Sequence, residues 1–474
     1  MYPILPVQKR YAWGSHTRLQ AMFGLPEGPG VDADGVRSDT LAEMWFSGHA
    51  QSASTILLPD GAQRSLTQAI RSDPMGMVGA EDSQTFGPVL PYLFKIISAR
   101  IPLSLQVHPL DFEARAGYNR ENAAGLSIGD PERSFKDTLA KNEMVVALEP
   151  FTASVGFAPI STQLQILRVV DHPVAQRMAD ALLARSFHRS VTPEGFERAD
   201  AMMPVSALAW PDSRRRVFRA FHTAITAPPV DPDELTPALL DADRRISSRK
   251  AHDAMANALQ AAQAFPGDPA VLALLMLNAV CLEEGESVYI PTGTPHAYIH
   301  GAAAEIMTNS DNVLRAGMTP KHKDLANFLR SLDCQPASPI DPSSSMIATL
   351  AMHNMVTYRP HISEYMLVYG RVEPGSAAWP LMGRIAHRYG DLVQRFGPRR
   401  LLVPQGGPRI LVCTEGSVCA RCQKQEMTLN HGQALFIRSD DGPVDVLRAE
   451  PGSTALDGLP AVGYGSFLLA STPR

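Results

Sequence analysis

The strongest constraint on the fold is a change of hydrophobic period along the chain. Residues 1 to 155 carry short β-branched and aromatic runs broken by Gly, Pro and Asp: "LAEMWFSG", "SASTILLP", "PYLFKIIS", "PLSLQVHP" and "EMVVALEPFTASVGF". Such runs read as strands. From about 160 the apolar residues recur every three or four positions, in "STQLQILRVVDHPVAQRMADALLARSF", "RRRVFRAFHTAI" and "ISSRKAHDAMANALQAAQAF". That spacing places them on one face of a helix. Ser161 and Thr162 are the expected caps of the first helix. "FPGDP" (265–269) closes the helical stretch, and strands resume near "CLEEGESVYIPTGTPHAYIHG". "TPKHKDLANFLRSL" (319–332) reads as a closing helix, "CQPASPIDPSSS" (334–345) as a linker, and 111–130 as a loop. Beyond 347 the strand signal returns. The expected division is therefore a β domain in two parts, 1–157 and 269–340, interrupted by a helical domain, 158–268, and followed by a second β domain, 341–474.

A short repeat supports two related β units. "LEEGESVYIPTGTPH" (282–296) parallels "LNHGQALFIRSDDGP" (429–443), aligning Gly285 with Gly432 and Tyr289 with Phe436. Eleven residues after the glycine, the first copy has His296 and the second Pro443.

The totals exclude several classes. At 474 residues, 45% hydrophobic and 19% charged, the chain has material for several cores. Its formal charge of -5 gives no basic excess for nucleic acid. The most apolar run, "PAVLALLMLNAV" (269–280), is too short for a membrane span of ~18 residues or more. The first residues lack an export pattern, and the five cysteines (281, 334, 413, 419, 422) are scattered. A cytoplasmic protein with reduced thiols is expected. Cys419 and Cys422 form a lone CxxC inside a strand-like segment, and no second pair completes a zinc site.

One strand is polar where it need not be. In "PLSLQVHPL" (102–110), Leu103, Leu105 and Val107 alternate with Ser104, Gln106 and His108. One face is aliphatic, and the other carries a hydroxyl, an amide and an imidazole. His296 follows the tight "PTGTP" turn and shares a strand face with Tyr298 and His300, and Glu143 enters a strongly apolar strand. Gln106, His108, Glu143 and His296 together would make an N2O2 metal site. Imidazole and carboxylate suit Zn²⁺ at ~2.0–2.2 Å. An amide in place of a third imidazole leaves the ion more positive, which favours Lewis-acid work.

These segments resemble the class I mannose-6-phosphate isomerases, zinc enzymes of the cupin superfamily. The resemblance rests on "YAWG" (11–14), "AEMWFSGH" (42–49), "LPYLFKIISARIPLSLQVHP" (90–109), "FKDTLAKNEM" (135–144), "PGDPAVLALLMLN" (266–278), "GESVYIPTGTPHAYIHG" (285–301) and "SDNVLRAGMTPKHKD" (310–324), in the family's order. It implies a mainly β fold with an α-helical insertion: two cupin-like jelly-roll domains, the C-terminal one degenerate, plus a helical domain. It implies one Zn²⁺ per chain on Gln106, His108, Glu143 and His296. The active-site arginine falls on Arg315. Glu305, Lys141 and Lys321 are the proton-transfer candidates, and Ser104, Lys95, Tyr298 and Trp13 match substrate-pocket positions. The implied reaction interconverts D-mannose 6-phosphate and D-fructose 6-phosphate through an enediolate. The expected partner is thus a small sugar phosphate, with no nucleic acid or membrane, and the chain a monomer or weak homo-oligomer.

The chain also departs from the family. The usual Asn-His-Lys-Pro-Glu is Leu139-Ala140-Lys141-Asn142-Glu143, so a histidine often given proton or ring-opening work is Ala140. The usual Ser-Gly-Asp is His300-Gly301-Ala302. These changes spare the four ligand positions. They keep open an alternative reading, a non-catalytic sugar-phosphate-binding cupin that retains the metal as scaffold. A cupin oxygenase is disfavoured, because such sites use open-coordinated iron with more histidines.

Overall fold

The computed structural model describes residues 1–31, 35, 37–186, 192–339, 347–352, 354–375, 379–385 and 404–474. Residues 340–345 of the linker expected at 334–345 lie outside them. The chain is rich in β-sheet with several helices. Among the described residues, one antiparallel sheet runs in the order Leu277–Leu282, Phe151–Phe157, His296–Thr308, Tyr92–Ala99, Glu43–Ser47 and Val7–Lys9. Glu143–Ala147, Ser287–Ile290, Leu105–Val107 and Leu314–Gly317 pair off this path.

The strand His296–Thr308 organises this sheet. Its first residues pair with Phe151–Phe157 and, at His296, with Gln106. Its later residues pair with Glu143–Ala147 on one side and Tyr92–Ala99 on the other. Gly301, where the partners change over, has φ +112°, and a Cβ there would lie 2.4 Å from the Pro150 carbonyl. Only glycine accepts both conditions.

A second sheet contains Met355–Pro360, Met366–Val372, Gly465–Ser471, Arg409–Arg421 and Ala434–Ile437, then takes in Tyr2–Leu5, Thr55–Leu57 and Gln63–Ser65. The opening strand is hydrogen-bonded to both ends of the chain: Tyr2 pairs with Phe436, and Ile4 with Ile56. A shared apolar core seals the two sheets, with Phe46, Phe94 and Ile306 packing in one cluster with Tyr358, Ile410 and Phe436.

Between the strands Phe151–Phe157 and Leu277–Leu282 lie helices from Ile160–Leu167 to Arg249–Ala264. Their apolar stripes converge on Phe218, Phe221 and Met255, and residues 270–276 of the tight helical turn 269–276 are wholly buried against them.

Several local expectations are corrected. Residues Asp111–Ala123 form a helix, not a loop. Only Ala114, Gly117 and Glu121 of it are buried, so its sequence carries almost no amphipathic signal. The first helix begins at Ile160 after Pro159, placing Ser161 and Thr162 in its first turn and not at the cap. Strand pairing resumes at Leu277, before Cys281. The closing helix is only Leu325–Arg330, capped by the Asp324 side chain. All five cysteines are free thiols; Cys419 lies in the strand Arg409–Arg421, and Cys422, just beyond its end, packs into a different apolar cluster.

Candidate active site

Strand register assembles the site. Gln106 faces His296 on one side and Arg315 on the other. Glu143 pairs across from Ile290 and Met307, and Glu305 lies opposite Lys95. Residues far apart in the chain thus reach one end of a single sheet.

His108, Glu143 and His296 are fully buried and bring their ligand-type atoms within 4.8 Å of one another. His108 Nε2 lies 3.0 Å from Glu143 Oε1, and His296 Nε2 lies 3.3 Å from Glu143 Oε2. The Gln106 amide sits 3.1 Å from His296 Nε2. The far sides of both rings are fixed. His108 Nδ1 is 2.8 Å from the Asn312 carbonyl, and His296 Nδ1 is 2.9 Å from the Thr294 carbonyl. A carbonyl only accepts, so each Nδ1 carries the proton and each Nε2 presents a lone pair.

Burial pushes the His108 ring down to about 4, so at neutral pH it is uncharged. Burial opposes the charge on Glu143, but its other neighbours, above all the Lys141 ammonium at 2.9 Å, outweigh it and hold this carboxyl well below the usual range. A buried lone pair on His108 Nε2 therefore points at a carboxylate oxygen, with no hydrogen-bond donor between them. Two acceptors in contact repel unless a cation lies between them. The donor set, two imidazoles, a carboxylate and an amide, fits a divalent metal of the zinc type.

Beside this cluster opens a cleft of about 330 Å³. Apart from His108 and His296, which lie behind its wall, every residue singled out from the sequence lines it: Trp13, Lys95, Ser104, Gln106, Lys141, Glu143, Tyr298, Glu305, Arg315 and Lys321. Lys141 Nζ is 2.9 Å from Glu143 Oε1. Tyr298 Oη lies 2.7 Å from Glu305 Oε1 and 3.2 Å from Glu143 Oε2. Burial first, then the two carboxylates, raise the Tyr298 hydroxyl well above its ordinary value, so it keeps its proton and donates. Burial raises the Glu305 carboxyl, opposed by Lys95, whose Nζ is 3.3 Å away. For Lys95 burial acts to lower the pKa, but Glu43 and Glu305 outweigh it and keep the ammonium charged. Ser104 Oγ is 3.3 Å from Gln106 Oε1.

Lys321 stands at the rim, its ammonium 4.0 Å above the Tyr11 ring. Loss of water around that ammonium, with the nearby Arg315 charge, brings its pKa down to about 8. The rim is held from a distance. Met318 has φ 56°, rare for a residue with a side chain. Its N–H donates to Asp268, which also caps the buried turn at Ala270.

Sequence reasoning left Arg10, Tyr11, Glu43, Trp45 and Asp311 without a role, yet all line the cleft. Trp45 Nε1 donates to Glu43 (2.6 Å), and Lys95 lies 4.5 Å over the Trp45 ring. For the last four the signal was present, since they fall in the "YAWG", "AEMWFSGH" and "SDN" motifs. His300 is exposed, and His49 turns to Asp137 (3.7 Å).

The family pattern described as phosphomannose isomerase type I, catalytic domain, matches residues 1–160. The chain carries that pattern over about its first third. It is 28% identical over 447 residues to mannose-6-phosphate isomerase of Salmonella typhimurium, covering 94% of this chain and 96% of the relative. With the Escherichia coli K12 enzyme of the same name identity is 29% over 448 residues, covering 94% and 97%. A crystal structure of zinc-bound mannose 6-phosphate isomerase superimposes with a TM-score of 0.71 at 25% identity, over 99% of both chains. A variant of the Salmonella typhimurium phosphomannose isomerase gives 0.73 at 24% identity, over 100% and 99%. Both relatives are thus matched by this chain over nearly their whole length.

Proposed function

We propose that this chain is a zinc-dependent aldose–ketose isomerase that interconverts D-mannose 6-phosphate and D-fructose 6-phosphate. The observation that carries the reading is the unshielded contact of His108 Nε2 with the Glu143 carboxylate, at the inner end of a cleft lined with cations. In this reading Gln106, His108, Glu143 and His296 hold the ion. The two sheets are two cupin-like units, with the helices of 158–268 inserted into the first. No described helix is long and apolar enough to cross a membrane, which accords with a small soluble substrate.

Isomerisation moves hydrogen between C1 and C2, and its difficult step removes a proton beside a carbonyl. A bound Zn²⁺ supplies Lewis-acid stabilisation of oxyanion charge on the substrate. Glu305 is our choice of base. Its pKa is raised by burial, which strengthens it as a base, and Tyr298 links it to the ligand Glu143. A carboxylate on one face of a planar enediolate can take the proton from one carbon and return it to the other. Arg315, in register with Gln106, adds fixed positive charge where the enediolate develops. Lys141 and Lys95 balance the carboxylates of the cleft floor. Lys321 and Ser104 are placed to bind the phosphate and the sugar hydroxyls, with Trp13 as a wall.

The test is a coupled assay for fructose 6-phosphate formed from mannose 6-phosphate. Turnover with zinc, its loss on chelation and its return on zinc addition are expected. No turnover by the zinc-loaded chain sinks the reading.

A further inference from the structure

Asn312 stands outside the cleft, completely buried, and nothing in the proposed chemistry uses its side chain. It nevertheless touches the two segments that deliver two of the metal ligands. Its backbone carbonyl lies 2.8 Å from His108 Nδ1. Its side-chain amide turns to residues 136–139, and both ends are fully used. Oδ1 accepts from the Lys136 N–H (2.7 Å) and the Asp137 N–H (3.2 Å). Nδ2 donates to the Leu139 carbonyl (2.9 Å), the Asp137 carbonyl (3.0 Å) and Asp137 Oδ1 (3.1 Å). Asp137 returns the contact through Oδ2, which accepts from the Asp311 N–H (2.9 Å) and the Ser310 hydroxyl (3.1 Å).

The segment held this way has no regular secondary structure between residues 133 and 142. No β-ladder fixes it until Glu143 pairs with Ile290 and Met307. A segment without ladder bonds takes its position from side-chain bonds or not at all. Lys141 and Glu143 leave directly from its end.

We propose that Asn312 is a positioning residue for the metal centre. One residue holds the His108 ring in the tautomer that presents Nε2 and clamps the loop that brings Glu143 to meet it. The inference rests on the zinc reading and adds to it the part that sets the spacing of two ligands. The residue type is determined by the chemistry. Aspartate keeps the acceptor facing Lys136 and Asp137, but puts a second oxygen against three others. Leucine fills the volume but removes the partner of the Lys136 and Asp137 N–H groups and of the Asp137 carbonyl, leaving Leu139 only its Ser310 contact. Only an amide of this length both donates and accepts here.

The experiment compares Asn312→Asp, Asn312→Ala and the unmodified chain, each stripped of metal. Zinc affinity is read by competition with a chromophoric chelator, and the geometry of the site by the visible absorption of the Co²⁺ form. Far-UV circular dichroism of the metal-free proteins establishes folding. Outer-layer partners of metal ligands typically change affinity by about 10- to 100-fold. Both variants are expected to lose zinc affinity in that range and to shift the Co²⁺ bands, with KM little changed at saturating zinc. Asn430→Ala is the control: Asn430 is as heavily bonded, to Ser417 and Asp457, but lies in the other sheet. It is expected to lower the melting temperature and leave zinc affinity alone. Zinc affinity within about twofold of the unmodified chain in either folded Asn312 variant overturns the proposal; if Asn312→Ala does not fold, Asn312→Asp decides. The unmodified chain tests the parent reading separately, and its failure to take up zinc overturns both.

Discussion

Two glycine-led strands of this molecule start alike and end differently. Gly285 (φ 81°) opens Ser287–Ile290, and Gly432 (φ 80°) opens Ala434–Ile437, at the same offset. Tyr289 and Phe436 hold equivalent places and pack into the same core. Beyond the strand they part. The first copy passes through the Gly293 turn, whose N–H bonds the His108 carbonyl, and delivers His296 to the buried cluster. The second enters the short turn Ser439–Asp441, and Asp441 pairs with the α-amino group of Met1 at 2.9 Å, where the first buries a histidine beside Glu143. The shared part of the motif makes a turn and a strand; the chemistry depends on the few residues after it. Buried charge serves both copies, as a centre in one and as an anchor in the other.

This contrast can be broken by mutation. The largest effect is expected for His296→Ala, with zinc affinity lower by more than about a hundredfold, beyond the usual cost of outer-layer changes, and turnover at background. Metal analysis with the coupled assay checks both. A variant that retains its zinc removes the distinction between the copies. Asp441→Asn is next. Breaking a buried ion pair costs about 3 kcal/mol or more, so denaturant unfolding should show a loss of that order while zinc content stays unchanged. A drop in zinc would mean that the two sheets are coupled more tightly than their strand pairing implies.

Lys321 sharpens the first copy's side of the comparison. With a pKa near 8, its ammonium is charged below that pH and neutral above it. A phosphate contact is therefore expected to weaken as pH rises through 8. KM for the sugar phosphate should climb about tenfold between pH 7.5 and 9 from the loss of one charge-assisted bond. Lys321→Gln should show the raised KM at pH 7 with kcat nearly unchanged, and Lys321→Arg should flatten the pH profile. If kcat rises instead as Lys321 loses its proton, this lysine is the base and Glu305 is not. The smallest effect is expected at the residue that aligns with His296. Pro443→Ala should leave activity and zinc content within about twofold.

Much of the buried cluster of His108, Glu143 and His296 was legible in the sequence. Gln106 and His108 stand on the polar face of a strand whose other face is aliphatic, and His296 follows a turn rich in Gly and Pro. Such residues are conspicuous because burial of polar groups needs a reason. The helix Asp111–Ala123 was not legible, since so little of it is buried that no periodicity survives. Asn312 was visible only as a letter in "SDN". Its role depends on hydrogen bonds to a loop some 175 positions earlier, which no local pattern encodes. Two residues of the cleft escaped for a similar reason: Trp45 lies opposite Lys95 in strand register, and the Glu43 carboxylate comes within 3.9 Å of its ammonium.

The strand Tyr2–Leu5 has a consequence for how the protein comes to be made. Its partner at Phe436 leaves the ribosome hundreds of residues later, so the opening segment must wait through nearly the whole of synthesis with half its backbone groups unanswered. Contacts so distant in sequence close slowly, and an unpaired edge is exposed to wrong partners in the meantime. Truncations at the C-terminus should therefore betray themselves first at the N-terminus, as early protease cuts near Tyr2.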